Sequence, residues 1–253
     1  MLRSLFQGLA ALAALAMLPT LHAQSLVQLE VIDRDTGQTL PSWSHRGQRW
    51  IEGTPGHGYA LRLTNLSGAR VLVVVSVDGV NVVSGQDARV EQAGYVLAPW
   101  QTTEVAGWRK SLQEVARFVF TDLHDSYAAR TGRADNVGVI GVAAFGERAP
   151  VMASAPRDTP GSHGQSARAA AAAPKPGADA AAPQRLGTGH GRREWAPVDR
   201  TGFIRASDMP HQQMQLRYDS HAQLLAQGVL PRHWHPPGGY RPQAFAQDFV
   251  PDP

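Results

Sequence analysis

Apolar and polar side chains alternate along much of the first half of the chain. In "LVQLEVID" (26–33) and "YALRLTNL" (59–66) an apolar residue falls at nearly every second position, which sends one face of an extended strand into a core and the other into water. "RVLVVVSV" (70–77) and "VNVVSG" (80–85) flank Asp78-Gly79, a residue pair that tolerates positive φ at both positions and so closes a two-residue hairpin. The stretches 93–99, 102–107, 115–121 and 137–146 predict further strands. Helical periodicity is sparse. "DSYAART" (125–131), stopped by Gly132, and "SHAQLLAQGVL" (220–230), stopped at Gly228, predict one short helix each. Ser111 and Glu114 have capping-box spacing, but the alternation in "VARFVF" leaves room for a single turn only. Short strands separated by turn residues predict an all-β fold, an antiparallel β-sandwich.

The pattern divides the chain into four parts. Residues 1–23 hold one cation, an apolar run from Leu5 to Leu18 and a small residue, Ala23, at the expected cut, the parts of a secretory signal peptide. Left uncleaved, the same segment would tether the protein to the membrane. Residues 24–148 form the expected sandwich domain. Residues 149–193, with "SARAAAAAPKPGADAAAPQRLGTGHGRR", offer almost nothing large and apolar to bury and are expected to be a disordered linker. Residues 194–253 are too few and too polar for an independent core, so a partly ordered, irregular or partly helical segment is expected there.

Composition adds location more than activity. The chain has no cysteine, so an exported form depends on its hydrophobic core and not on disulfides. A periplasmic or secreted location in a bacterium follows, with no membrane span once the signal is removed. Without Arg3 the chain carries 23 Lys+Arg against 21 Asp+Glu, and the small surplus lies in 149–193, with 6 cations and 2 anions. Scattered charges of that kind are no footprint for nucleic acid.

The succession "RVLVVVSVDGVNVVSGQ", "GYVLAPWQTTEVAGWRKS", "EVARFVFT", "SYAARTG" and "NVGVIGVAAFGE" resembles a family of exported or envelope-associated bacterial proteins, with related domains in large DNA viruses. The resemblance covers residues 59–148, and "FIRASDMPHQQMQLRYDSHAQLLAQGVLP" resembles an element found beside that domain. It implies domain limits and a fold; it implies no activity.

The candidate binding residues are Trp108, Arg109, Lys110, Asp125 and Tyr127. "AGWRKS" (106–111) sets an aromatic ring, two cations and a hydroxyl side by side. Neighbours on a strand face opposite ways, so Lys110 and Ser111 do not form a nucleophile and its base. Trp108 is expected to point inward, Ser111 to cap a turn, and Arg109 and Lys110 to meet a carboxylate such as Asp122 or Asp125, or else a ligand. Asp78, beside Asn81 and Gly79, lacks calcium-loop spacing and is expected to serve the turn. His233 and His235, with His211 and His221 upstream, offer imidazoles but no preorganised zinc set, and the consecutive His124-Asp125-Ser126 does not make a triad. No cofactor, metal or catalytic residue is expected. The leading functional reading is a non-enzymatic module that binds a protein or glycan of the cell envelope. One alternative is an exported hydrolase or lyase assembled from distant residues such as Asp78, Arg109, Asp125 and Tyr127. The other is a structural surface or particle protein.

Overall fold

The computed structural model describes residues 25–149 and 186–231. The expected signal segment, residues 150–185 of the expected linker, and His233 and His235 lie outside the described residues. In chain order the strands are β1 (Val27–Asp33), β2 (Ser42–His45), β3 (Gln48–Glu52), β4 (Gly58–Asn65), β5 (Val71–Val77), β6 (Val80–Asn81), β7 (Tyr95–Leu97), β8 (Thr102–Val105), β9 (Gly107–Arg109), β10 (Glu114–Asp122), β11 (Val139–Gly146), β12 (Leu186–Trp195) and β13 (Gln212–Asp219). Two short α-helices, α1 (Tyr127–Arg130) and α2 (His221–Ala226), stand where the sequence predicts them.

The strands form two sheets, as expected for a sandwich. One has the order β1-β4-β10-β12, with β8 on β4 and β9 on β10; the other runs β2-β3-β13-β11-β5-β6, with β7 on β5. All described pairs are antiparallel except β13 with β3. The inward residues of both sheets meet in one core that includes Val31, Leu61, Val73, Phe118, Ile140 and Tyr218. Inside it Tyr59 stacks on Phe118 and Phe120.

The Asp78-Gly79 turn closes β5 and β6 with φ of 52° and 73°, as the residue pair predicts. A second left-handed pair, Arg46-Gly47, turns β2 into β3. That hairpin is not legible in the sequence, because arginine gives no turn signal.

The expected limits differ from the observed pairing. A sandwich confined to 24–148 would lack β12 and β13, yet β12 pairs along β10 from Asp122↔Leu186 to Glu114↔Trp195. β12 begins inside the stretch expected to be linker. Its Gly187, Gly189 and Gly191 hide the alternation from sequence reading; Ser126 and the Arg117 backbone occupy the space a Cβ would take at Gly187 and Gly191, and Gly189 sits closely against Thr121. β13 lies inside the other sheet, between β3 and β11. The described part of 194–253 thus supplies an interior strand of one sheet of the sandwich, with α2 after it.

Turns join the two sheets at both ends. At the upper end β1, β5, β8, β10 and β13 begin and β4, β7, β11 and β12 finish. At the lower end β1, β3, β5, β10 and β13 finish and β4 and β12 begin.

Candidate functional site

At the lower end, a cleft of about 450 Å³ opens between the β1–β2 connection, the end of β3 and α2. Two histidines line it, each held by a carboxylate from another element. His57, just before β4, places Nδ1 2.7 Å from Asp33 Oδ2 at the end of β1. His221, the first residue of α2, places Nδ1 2.9 Å from Glu52 Oε2 at the end of β3. The cleft is completed by Trp43, Leu40, Leu225 and Leu230. Trp43 and Leu225 pack on a small cluster of Trp50, Leu224, Val229 and Leu230 that anchors α2 to the sheet.

Asp33 is positioned as an acceptor. Its Oδ1 accepts the backbone N–H groups of Asp35 and Thr36 at 2.8 and 3.0 Å. Burial alone would raise its pKa, but the hydrogen bond from His57 and those from Thr36 and Asp35 outweigh it and hold the carboxyl below the usual range. An ionised Asp33 can only accept, so His57 Nδ1 carries the proton and a neutral ring keeps Nε2 as its free acceptor. The cleft therefore combines apolar walls with imidazoles fixed in orientation. Such a lining suits a ligand with an apolar face and hydrogen-bonding groups around it.

Asp33, Asp35 and His57 bring metal-ligand atoms within 4.8 Å of one another. Those atoms are already engaged: Asp35 Oδ2 accepts from Gly58 N–H and from Arg117, 3.0 Å away. The Gly58 bond is the main cause of the lowered Asp35 pKa. A cation there would have to displace Arg117 and break the Asp33–His57 pair.

The residues singled out in the sequence fall into separate places. Trp108 is buried, edge-on to Phe118 with ring centroids 4.9 Å apart, and its other neighbour is Tyr127 at 5.0 Å. These two aromatics do meet, but Trp108 belongs to the core. Asp125 is exposed in a 3₁₀ turn (Leu123–Asp125) at the lower end. Arg109 points the other way: its guanidinium donates to the Ala196 carbonyl at 2.5 Å and to Tyr95 Oη at 3.3 Å. Among the described residues it has no carboxylate partner, so the expected link to Asp122 or Asp125 does not form. Arg109 and exposed Lys110 instead line a cavity of about 780 Å³ at the upper end, with Tyr95, Gln101 and Arg200. Ser111 caps its turn as expected, its Oγ accepting from the N–H groups of Gln113 and Glu114, each at 3.1 Å. Gly107 lies within β9, where a Cβ would run into the Ala116 carbonyl.

Asp78 does more than close its turn. Fully buried, it accepts from Gly138 N–H (2.8 Å), Thr188 N–H (2.8 Å) and Tyr218 O–H (2.6 Å). The Thr188 hydroxyl lies 2.6 Å from both Tyr59 and Tyr218 oxygens. One carboxylate thereby ties the β5–β6 turn to β12, β13 and, through Thr188, β4. Its burial makes it a structural hub.

Sequence reasoning missed His57 and Asp33. They stand 24 residues apart and meet only because β1 and β4 pair; the alternation in both strands is the one signal that would have aligned them. Comparison with protein-family models, curated proteins and solved structures found no match.

Proposed function

We propose that this protein is an exported, non-enzymatic β-sandwich module that binds a glycan of the bacterial cell envelope in the lower cleft. The observation that carries the reading is the pairing of Asp33–His57 and Glu52–His221 around one partly apolar cleft with Trp43 in its wall. A sugar ring has apolar C–H faces that fit tryptophan and leucine, and hydroxyls that fit imidazole nitrogens and carboxylates. Calorimetric titration with oligosaccharides prepared from bacterial envelopes tests it. Trp43→Ala and His221→Gln are each expected to weaken binding by about tenfold or more, ~1.4 kcal/mol, with the far-ultraviolet circular dichroism unchanged. Titrations with no heat for any envelope saccharide would defeat the proposal.

A second reading, an exported hydrolase, is favoured by one feature. Asp33 orients His57 as a carboxylate orients a general base. The residues involved are not Asp78, Arg109, Asp125 and Tyr127: Asp78 is buried and Arg109 points to the upper end. Release of reducing ends or of a chromogenic leaving group during the same titrations would support it over simple binding.

A further inference from the structure

We infer that the upper end of the sandwich docks on the surface of an anionic lipid bilayer. The inference is independent of the lower cleft. Among the described residues, all the exposed large hydrophobic side chains, Leu66, Trp100, Leu112, Trp195, Ile204 and Met209, lie on loops or strand ends at this end. Among the described residues the lower end and the strand faces hold none. A folded chain scatters such residues when they are incidental; their collection on one surface marks a contact site.

Trp100 is the sharpest case. It lies in the connection from β7 to β8 with φ of 60° and 67 % of its surface exposed. A bulky residue in the left-handed region is strained, and here the strain produces no burial, since Trp100 belongs to no core cluster. The turn holds the indole outward beside Leu66: Trp100 N–H donates to the Ser67 carbonyl, and Leu66 N–H to that of Leu26. Ile204 continues the surface, its carbonyl accepting from Arg148 N–H.

Cations stand among these apolar groups. Lys110, Arg148 and Arg200 are exposed, and among the described residues none forms an ion pair. Two exposed carboxylates, Asp199 beside Arg200 and Asp208 beside Met209, stand on the same surface, also without an ion pair among the described residues, so these three cations exceed the two anions by one. Lys110 and Arg200 flank the upper cavity whose wall includes Leu112. Exposed indole and aliphatic side chains interspersed with unpaired cations match the interfacial zone of a bilayer, where tryptophan rests at headgroup level and Lys and Arg meet lipid phosphates. A protein partner would be expected to meet a more continuous apolar patch with its cations paired. The chain also enters here: Ser25, joined through the sequence to the apolar run Leu5–Leu18, leads into β1 at the upper end. A membrane on that side leaves the lower cleft facing away from it.

The test uses the full chain as an expression host exports it, mixed with vesicles of phosphatidylglycerol and phosphatidylethanolamine that contain brominated acyl chains. Tryptophan fluorescence is expected to be quenched, and in a Trp234→Phe background quenching is expected to fall at least about threefold on adding Trp100→Phe/Trp195→Phe, because Trp50 and Trp108 are buried and Trp43 lines the lower cleft. Lys110→Gln/Arg200→Gln is expected to lower the vesicle-bound fraction and to reduce its loss at high salt. Phenylalanine and glutamine at exposed positions keep the fold, which circular dichroism checks. Absence of quenching, or equal quenching in the Phe variant, would overturn the inference even if the protein still sediments with vesicles. Vesicle binding that the Gln pair leaves untouched in both extent and salt dependence would overturn it too.

Discussion

Asp78 shows how much a single residue's role depends on what the fold brings to it. In sequence it is a turn residue, and its φ of 52° agrees. In the structure, burial pushes its pKa up to about 6, against the lowering effect of hydrogen bonds from Tyr218, Thr188 and Gly138. The unfolded carboxyl titrates near 3.8, so between about pH 4 and pH 6 the folded chain binds the extra proton. Stability conferred by this group is present at the acid side of that window and lost as pH rises through it, by about 3 kcal/mol. Urea melts of wild type and Asp78→Asn across pH 4–7 are expected to differ in slope: the variant is less stable throughout, since its amide N–H₂ cannot accept from these donors, but it lacks this fall. Parallel pH profiles would show that Asp78 does not titrate in the window. Of "AGWRKS", the inward Trp108 ring is legible in the sequence, while the need for glycine at 107 comes from the Ala116 carbonyl, a neighbour that pairing of β9 with β10 supplies.

Among the elements, β13 decides most. It separates β3 from β11 and supplies Leu216 and Tyr218 to the core. A chain of residues 24–148 would leave the β2–β3 hairpin unattached to the rest of its sheet and expose the edge of β11, together with the inner face that β12 and β13 cover. Such a fragment is expected not to fold cooperatively, giving no sigmoidal thermal transition and poorly dispersed amide resonances, whereas the full chain gives both. The alternation of Met214, Leu216 and Tyr218 was present in the sequence. It does not by itself mark a strand, because the segment around it is short and polar and its partners are distant in sequence: Leu216 pairs with Ile140 and Arg217 with Trp50. β12 was harder, since glycine at alternate positions erases the pattern and its strand character comes from pairing with β10.

Over the whole molecule, the two ends have different chemistry. The lower end carries histidines fixed by carboxylates around a cleft, and the upper end carries exposed apolar side chains with unpaired cations. If the ends act separately, Trp100→Phe/Trp195→Phe should leave saccharide affinity within about twofold of wild type, because sites this far apart without shared partners behave additively. Calorimetry on both proteins measures this, and a larger change would mean that the ends are coupled. What the sequence by itself determined is what depends on nearest neighbours and period: strand alternation in β1, β4 and β5, the Asp78-Gly79 turn, the two short helices, and hence the class of fold. Only the tertiary structure decided which distant strands lie side by side. Those pairings set His57 against Asp33 and His221 against Glu52, bury Asp78 beneath β12 and β13, and turn Arg109 away from Asp125, because side-chain neighbours in a sheet are fixed by register between strands and not by distance along the chain.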